Sequence, residues 1–393
     1  MHVEVLTALE DIPAPAWNAL VGTDNPFLRH EFLAALERHG CVAAETGWQP
    51  HHLLLREGER LLAAVPAYLK SDSWGEFVFD WAWASAYERS GRAYYPKLVC
   101  AVPYTPASGP RLLLADGVNP ATAAEALVAG GKIACERLDL SSMHWLFPEP
   151  IQAQALANAG LSTRVGCQFH WRNPGYRDFG DFLDSFSSKK RKNVKRERRQ
   201  AREQGITFEI VPGDAVTAED WQIFHRYYQR TFHAHGNLPT LTAEFFQDIG
   251  QRLRDRVLMV QGRDAAGLAA TALLLRSDTT LYGRYWGCRE ERPGVHFESC
   301  FYQGINYCIE HGLSTFEPGA QGEHKIARGF LPTLTRSCHW IAEPEFRSAV
   351  DDFLRRESAM IMRYMDDLNS HSPYRDPPEA TFDPIGADLT GTR

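Results

Sequence analysis

Residues 62–72, Leu-Ala-Ala-Val-Pro-Ala-Tyr-Leu-Lys-Ser-Asp, return in the second half of the chain as residues 268–278, Leu-Ala-Ala-Thr-Ala-Leu-Leu-Leu-Arg-Ser-Asp. The pairs Leu62/Leu268, Ala63/Ala269, Ala64/Ala270, Leu69/Leu275, Ser71/Ser277 and Asp72/Asp278 are identical and share one constant shift. Each copy follows a short apolar strand (residues 52–55 and 257–260) and a charged turn containing glycine. Each then leads through a polar turn into an aromatic strand, residues 76–83 in the first copy and 280–287 in the second. Hairpins followed by helices form an α/β pattern with mixed sheets. The period is far too long for a solenoid. A duplicated domain is the reading that fits, with an N-terminal domain over residues 1–170, a C-terminal domain over 171–368, and a tail over 369–393 rich in Pro, Gly, Asp and Ser.

Helices are predicted over 26–39, 121–138, 297–311 and 346–368 from apolar residues at helical spacing, with Gly312 as a stop. At 393 residues and 44% hydrophobic, the chain can bury the cores that two domains need. A net charge of −7 excludes nucleic-acid binding by bulk electrostatics, so any such role requires a local patch. The start of the chain shows no basic segment followed by an apolar run, and no stretch reaches the roughly 20 apolar residues of a membrane helix. The 8 cysteines show no Cys-x-x-Cys spacing. Reduced thiols, a cytoplasmic setting and no metal site are the expectation.

A local patch does exist. Residues 179–186 begin an amphipathic helix, and 189–202 then carry Lys189, Lys190, Arg191, Lys192, Lys195, Arg196, Arg198, Arg199 and Arg202 against Glu197 alone. Like charges at i,i+4 repel by a few tenths of a kcal/mol per pair, so such a helix gains from a polyanion that neutralises it. The phosphates of a nucleotide, a tRNA or a lipid headgroup all qualify. With no interleaved aromatics, backbone phosphate contact is the expected mode.

Residues 316–329 gather Glu317, Gln321, Glu323, His324, Lys325 and Arg328 between Gly319, Gly322 and Gly329. Glycine makes this a loop, and apolar flanks on both sides place it at a cleft. Two acids, imidazole, ammonium and guanidinium together suit anion binding and proton transfer near neutral pH. The strand 281–288 carries Arg284 between Gly283 and Gly287, a pattern of a bulge or of close ligand approach. It leads by a loop to a helix start near His296 and Glu298, where exposed N–H groups suit a pyrophosphate. For Glu298, capping and base are equal alternatives.

These segments resemble a known family. Residues 283–287, 296–298, 300–303, 317–325 and 328–329, with Asn25-Pro26-Phe27-Leu28, residues 75–81, Tyr94-Tyr95-Pro96-Lys97-Leu98, Pro103-Tyr104-Thr105-Pro106 and Gln168-Phe169-His170-Trp171, are similar to the FemAB-like family of the GNAT acyltransferase superfamily. The resemblance implies two tandem GNAT-like domains and acyl or aminoacyl transfer to an amino group of a small-molecule or peptide acceptor. It implies no tightly bound cofactor, with acyl-CoA or aminoacyl-tRNA as co-substrate. The alternatives are an aminoacyl-tRNA-dependent peptidoglycan-precursor ligase and a non-catalytic recognition protein. Residues 292–296, Arg-Pro-Gly-Val-His, depart from the pyrophosphate loop usual in GNAT enzymes, which leaves the donor open.

Amide formation needs a base, donors for the oxyanion, and positioning. Glu317 or His324 is the expected base, with Glu298 and His296 behind them. Backbone N–H groups of 285–287 are expected to polarise the acyl carbonyl, and Lys325, Arg328 and Arg284 to hold a carboxylate or phosphate. Tyr285, Trp286, Tyr302, Gln303, Gln321 and Glu323 join the substrate-binding set. In the first half, Asp80, Tyr95 and Lys97 are expected to line the same interdomain groove.

Overall fold

The computed structural model describes residues 1–22, 25–320 and 322–376. They form two compact units. The first comprises residues 1–167 and 334–364; the second comprises 168–333 and 365–376. The boundary lies close to the expected one at 170, but 334–364, placed with the C-terminal domain by sequence, folds with the first unit. Gln321 and residues 377–393 of the expected tail lie outside the described residues.

In the first unit, β1 (His2–Leu6), β3 (His52–Glu57), β4 (Arg60–Val65) and β7 (Leu113–Leu114) form an antiparallel sheet in the order β1-β3-β4-β7. A second set runs β2-β5-β6-β8-β15, from Trp48–Pro50, Ala67–Lys70, Lys97–Cys100, Ser142–Leu146 and Leu331–Ile341. Within it β5 and β6 are antiparallel, β6 and β8 parallel, and β8 and β15 antiparallel. The parallel step requires a crossover, supplied by the helix Pro120–Arg137, whose N-terminus is capped by the Asn119 side chain. Leu127, Val128, Met143, Trp145 and Cys338 are fully buried in the core between sheet and helix.

The second unit repeats this order. β12 (Gly267–Arg276) and β13 (Thr280–Cys288) are antiparallel, β13 and β14 (Thr315–Glu317) parallel, and β14 and β9 (Ser162–Arg172) antiparallel through Trp171 and Arg172. β10 (Thr207–Pro212) and β11 (Val257–Asp264) extend the sheet on the other side. The crossover here is the helical stretch Val295–His311, ended by Gly312 in the left-handed conformation. Each unit is therefore completed by a strand from elsewhere in the chain: β9 follows the first unit but pairs in the second, and β15 follows the second but pairs in the first.

Two expectations are corrected. Residues 76–83 are no strand: 76–80 are irregular, bent at 77–78, and the helix Trp81–Arg89 follows. Glu76 and Asp80 both reach the Lys97 ammonium, at 2.9 and 2.5 Å. Two residues four apart on a strand stand about 13 Å apart, too far for one ammonium. The expected helix over 26–39 is broken at Arg29, which is extended between the short 3-10 turn Pro26–Leu28 and the helix His30–Arg38.

Candidate active site

The parallel pairing of β13 with β14 stops at Tyr282 and Glu317, while β13 runs on to Cys288. There β14 ends, and the ladder between the two strands stops with it. The register of β12 on β13 passes from Leu273 opposite Tyr285 to Leu274 opposite Gly283, which leaves Arg284 as the extra, bulged residue. A bulge re-aims its side chain and leaves backbone groups outside the ladder. Gly283 sits under the chain that leaves β14, where a Cβ would lie 3.2 Å from the Pro318 Cα. The sequence pattern of a glycine-bracketed strand with a bulge is thus matched at Arg284.

Glu317, at the end of β14, is half-buried, and its Oε2 lies 3.9 Å from Nε2 of His170 on β9. Burial, with Arg172 and Lys325 nearby, pulls the His170 pKa down to about 3, so this imidazole is neutral near pH 7. After a turn the chain forms a short 3-10 helix, Glu323–Arg328. Its Lys325 is 4% exposed and donates from Nζ to the Gly319 carbonyl at 2.8 Å. Burial lowers its pKa to about 8, so the amine stays mostly protonated at neutral pH but titrates just above it. His324 folds back over Gly322, where a Cβ would stand 2.5 Å from the imidazole.

The helical stretch 295–311 faces this loop. His296 stacks edge-on against Trp286, ring centroids 4.9 Å apart, and lies 6.5 Å from His324. Burial first, then His324, Arg328 and Lys325, bring His296 to about 4. From Glu298 to Tyr302 the stretch is a π-helix turn, a feature found often at functional sites and one that sequence reasoning missed. Residue spacing alone does not distinguish it from an α-helix.

Other expected site residues serve as framework. Glu298 makes a two-pronged ion pair with Arg198, at 2.9 and 3.1 Å, and accepts from the Gln303 amide at 2.8 Å. It does not cap the helix. Arg328 donates to Glu197 at 2.8 and 3.1 Å and to the His324 carbonyl at 2.5 Å, and its guanidinium lies 3.4 Å from the Phe297 ring centre. Tyr302 donates to the same Glu197. Glu323 is exposed, and Tyr285 sits among Tyr228, Phe232 and Phe246.

In the first unit, Asp80 and Lys97 are interior residues and do not line an open surface: they are 2% and 0% exposed. The Lys97 ammonium donates to Asp80, Glu76 and Ser73, and Ser73 is 2.8 Å from the Tyr95 hydroxyl. Burial alone would raise the Asp80 carboxyl, but Lys97 and His144 outweigh it and hold Asp80 well below the carboxylate range, while burial lifts Glu76 to about 7.

The basic stretch is a helix, Ser188–Glu203. Lys189, Lys192, Lys195, Arg196, Arg199 and Arg202 are exposed; Lys190 and Arg191 are half-buried, and Arg191 pairs with Asp184 at 2.7 Å. Its lone inward acid, Glu197, is the one that holds Arg328. Gly294, with φ +80°, is where this helix approaches the start of the 295–311 stretch; a Cβ there would lie 2.5 Å from the Glu197 carbonyl oxygen. The glycine serves contact between two backbones.

Among the described residues no group of three or more His, Cys, Asp or Glu is placed to hold a metal, and no helix is long and apolar enough to cross a membrane.

A family model described as peptidoglycan biosynthesis/recognition, FemAB-like, matches residues 8–376. The chain belongs to the FemAB-like family. No curated protein matches it in sequence. Among solved structures, this FemAB-like chain is similar to FemX, at 12% identity and a TM-score of 0.53, covering 89% of this chain and 100% of that one. It is also similar to the C-terminal domain of a protein described as a lysylphosphatidylglycerol synthetase from Agrobacterium fabrum, at 11% identity and a TM-score of 0.51, over 88% and 95% of the two chains. A conserved protein of unknown function from Bacteroides thetaiotaomicron follows, at 7% identity and a TM-score of 0.50, over 86% and 98%. These likenesses concern the fold. The chain is a mixed α/β protein of two units that repeat one strand order.

Proposed function

We propose that this FemAB-like protein is an acyltransferase that moves an acyl or aminoacyl group onto an amino group of a small-molecule or peptide acceptor, with the chemistry in the second unit. The observation that carries the reading is the end of the β13–β14 ladder beside the Arg284 bulge, with Glu317 and Lys325 on the chain that leaves β14. The N–H groups of 285–287, in the part of β13 that runs beyond its ladder with β14, supply donors for an oxyanion at the acyl carbonyl. Glu317, beside neutral His170, takes a proton from the acceptor ammonium; the freed amine attacks the acyl carbonyl, and the donor's thiol or hydroxyl leaves as the tetrahedral intermediate collapses. Lys325, in its protonated form, stabilises the developing negative charge, and in a buried site that interaction is stronger than in water. Arg284, re-aimed by the bulge, holds a carboxylate or phosphate of one substrate. Glu298 and Arg328, expected as base and anion ligand, hold the loop and the π turn in place.

The exposed basic face of the helix 188–203 favours a polyanionic donor, and so a second reading: transfer from aminoacyl-tRNA to a peptidoglycan precursor. Titration of acetyl-CoA into the folded protein, followed by transfer assays with acyl-CoA and with aminoacyl-tRNA on amine acceptors, separates the two. Micromolar acetyl-CoA binding with transfer places the donor among acyl-CoAs. Silence there, with transfer from aminoacyl-tRNA that weakens steeply with salt and loses salt dependence in Lys192→Ala/Arg196→Ala/Arg199→Ala, supports the second. Absence of transfer from either donor, in a folded protein, overturns the transferase reading.

A further inference from the structure

We propose that Glu197, the acid that turns inward from the basic helix 188–203, is a positioning residue that sets where the Lys325 amine stands. The proposal rests on the reading of Lys325 as the working cation of transfer. Neighbouring residues of opposite sign turn inward from this helix to different parts of the site. Glu197 accepts two bonds from Arg328, at 2.8 and 3.1 Å, and one from the Tyr302 hydroxyl. Arg198 clasps Glu298, the first residue of the π turn. Arg328 in turn donates to the His324 carbonyl and lies over the Phe297 ring, so the 3-10 helix bearing Lys325 is fastened at His324 and at its far end, Arg328. Lys325 itself is held by its backbone N–H to the Gly322 carbonyl at 3.0 Å and by its ammonium to Gly319. No charged group among these restrains the ammonium directly, so the depth of burial depends on the loop staying closed.

Removing the carboxylate charge leaves the Arg328 guanidinium beside Phe297 without its ion-pair partner, a change that favours opening of the loop. The test is the pH dependence of Lys325 acetylation by trace acetic anhydride, read by peptide mass spectrometry, together with amide hydrogen exchange of residues 322–330. Glu197→Gln is expected to raise the Lys325 labelling midpoint from near 8 by about one pH unit toward the ordinary lysine value, and to speed exchange of those amides about tenfold. Glu197→Asp restores part of both effects, and Tyr302→Phe gives a smaller shift in the same direction. Glu203→Gln, on the same helix but exposed and paired with Arg199, leaves both unchanged. An unmoved midpoint and unmoved exchange in folded Glu197→Gln overturn the proposal, and if that variant does not fold, Tyr302→Phe and Glu197→Asp decide it by the same readouts. Neither readout uses a substrate. An inactive native protein would therefore sink the transferase reading alone, while an active protein with an unmoved midpoint would sink the positioning role alone.

Discussion

Lys325 is the residue whose energetics and proposed chemistry pull in opposite directions. Burial disfavours its ammonium and brings it from 10.5 to about 8. Between those two pH values the unfolded chain holds more protons than the folded one, so stability rises with pH across that window. Below about pH 8 the destabilising contribution is at its full size. Lys325→Met, which keeps the volume and removes the charge, is expected to stabilise the protein by on the order of 2 kcal/mol at pH 7 and by much less above pH 10. Urea unfolding at the two pH values checks this. The same variant is expected to lose transfer, since no other buried ammonium is recorded on that loop. A variant less stable at pH 7 than the parent would show that Lys325 holds the fold together.

At the scale of elements, the site is made by small departures from regular structure. One extra residue in β13 and one wide turn in the helical stretch 295–311 aim side chains that an ideal strand and an ideal α-helix would turn elsewhere. The basic helix is held to that stretch through Gly294. Gly294→Ala adds a Cβ where the Glu197 carbonyl oxygen stands at 2.5 Å, on a backbone with φ +80°. Strain and displacement together are expected to cost about 1–3 kcal/mol and to loosen the helix. Thermal unfolding reads the first effect, and faster amide exchange in residues 188–203 reads the second. By contrast, Gly58→Ala has positive φ but open space around it, so its cost is backbone strain alone.

At the scale of the whole molecule, the consequence lies in how the chain closes each unit. β15 pairs with β8 from Ser337 to Ile341, and its Cys338 and Trp340 belong to the first unit's core. His339 on the same strand meets His144 of β8, Nδ1 to Nδ1 at 2.7 Å, and burial keeps both imidazoles uncharged. A fragment of residues 1–167 therefore lacks a core strand and leaves one edge of β8 open. It is expected to be unfolded or aggregated, whereas the full chain melts cooperatively. Circular dichroism and sedimentation of the fragment check this; a monomeric, cooperatively folding 1–167 would contradict it.

Much of this was written locally in the sequence. The repeated Leu-Ala-Ala segment marks equivalent strands, and apolar spacing locates the helices at 120–137, 295–311 and 344–370 to within a few residues. The glycine-bracketed strand marks a bulge because glycine gives the strand no side chain to pack and lets another backbone approach closely, as Pro318 does over Gly283. Residue types also drew attention to 284–328, where the structure brings the loop after β14 against the helical stretch 295–311. Sequence did not divide that neighbourhood into working groups and supports. Glu298 and Arg328 look like a base and an anion ligand until Arg198 and Glu197, about a hundred residues away, are seen to hold them. Lys97 and Asp80 look like surface charges until they are found inside. Local propensity acts over a turn or two of chain, whereas ion pairing, desolvation and the exchange of β9 and β15 act between segments far apart in sequence. Those were decided by the tertiary structure, because only packing fixes which charge meets which and how little water is left between them.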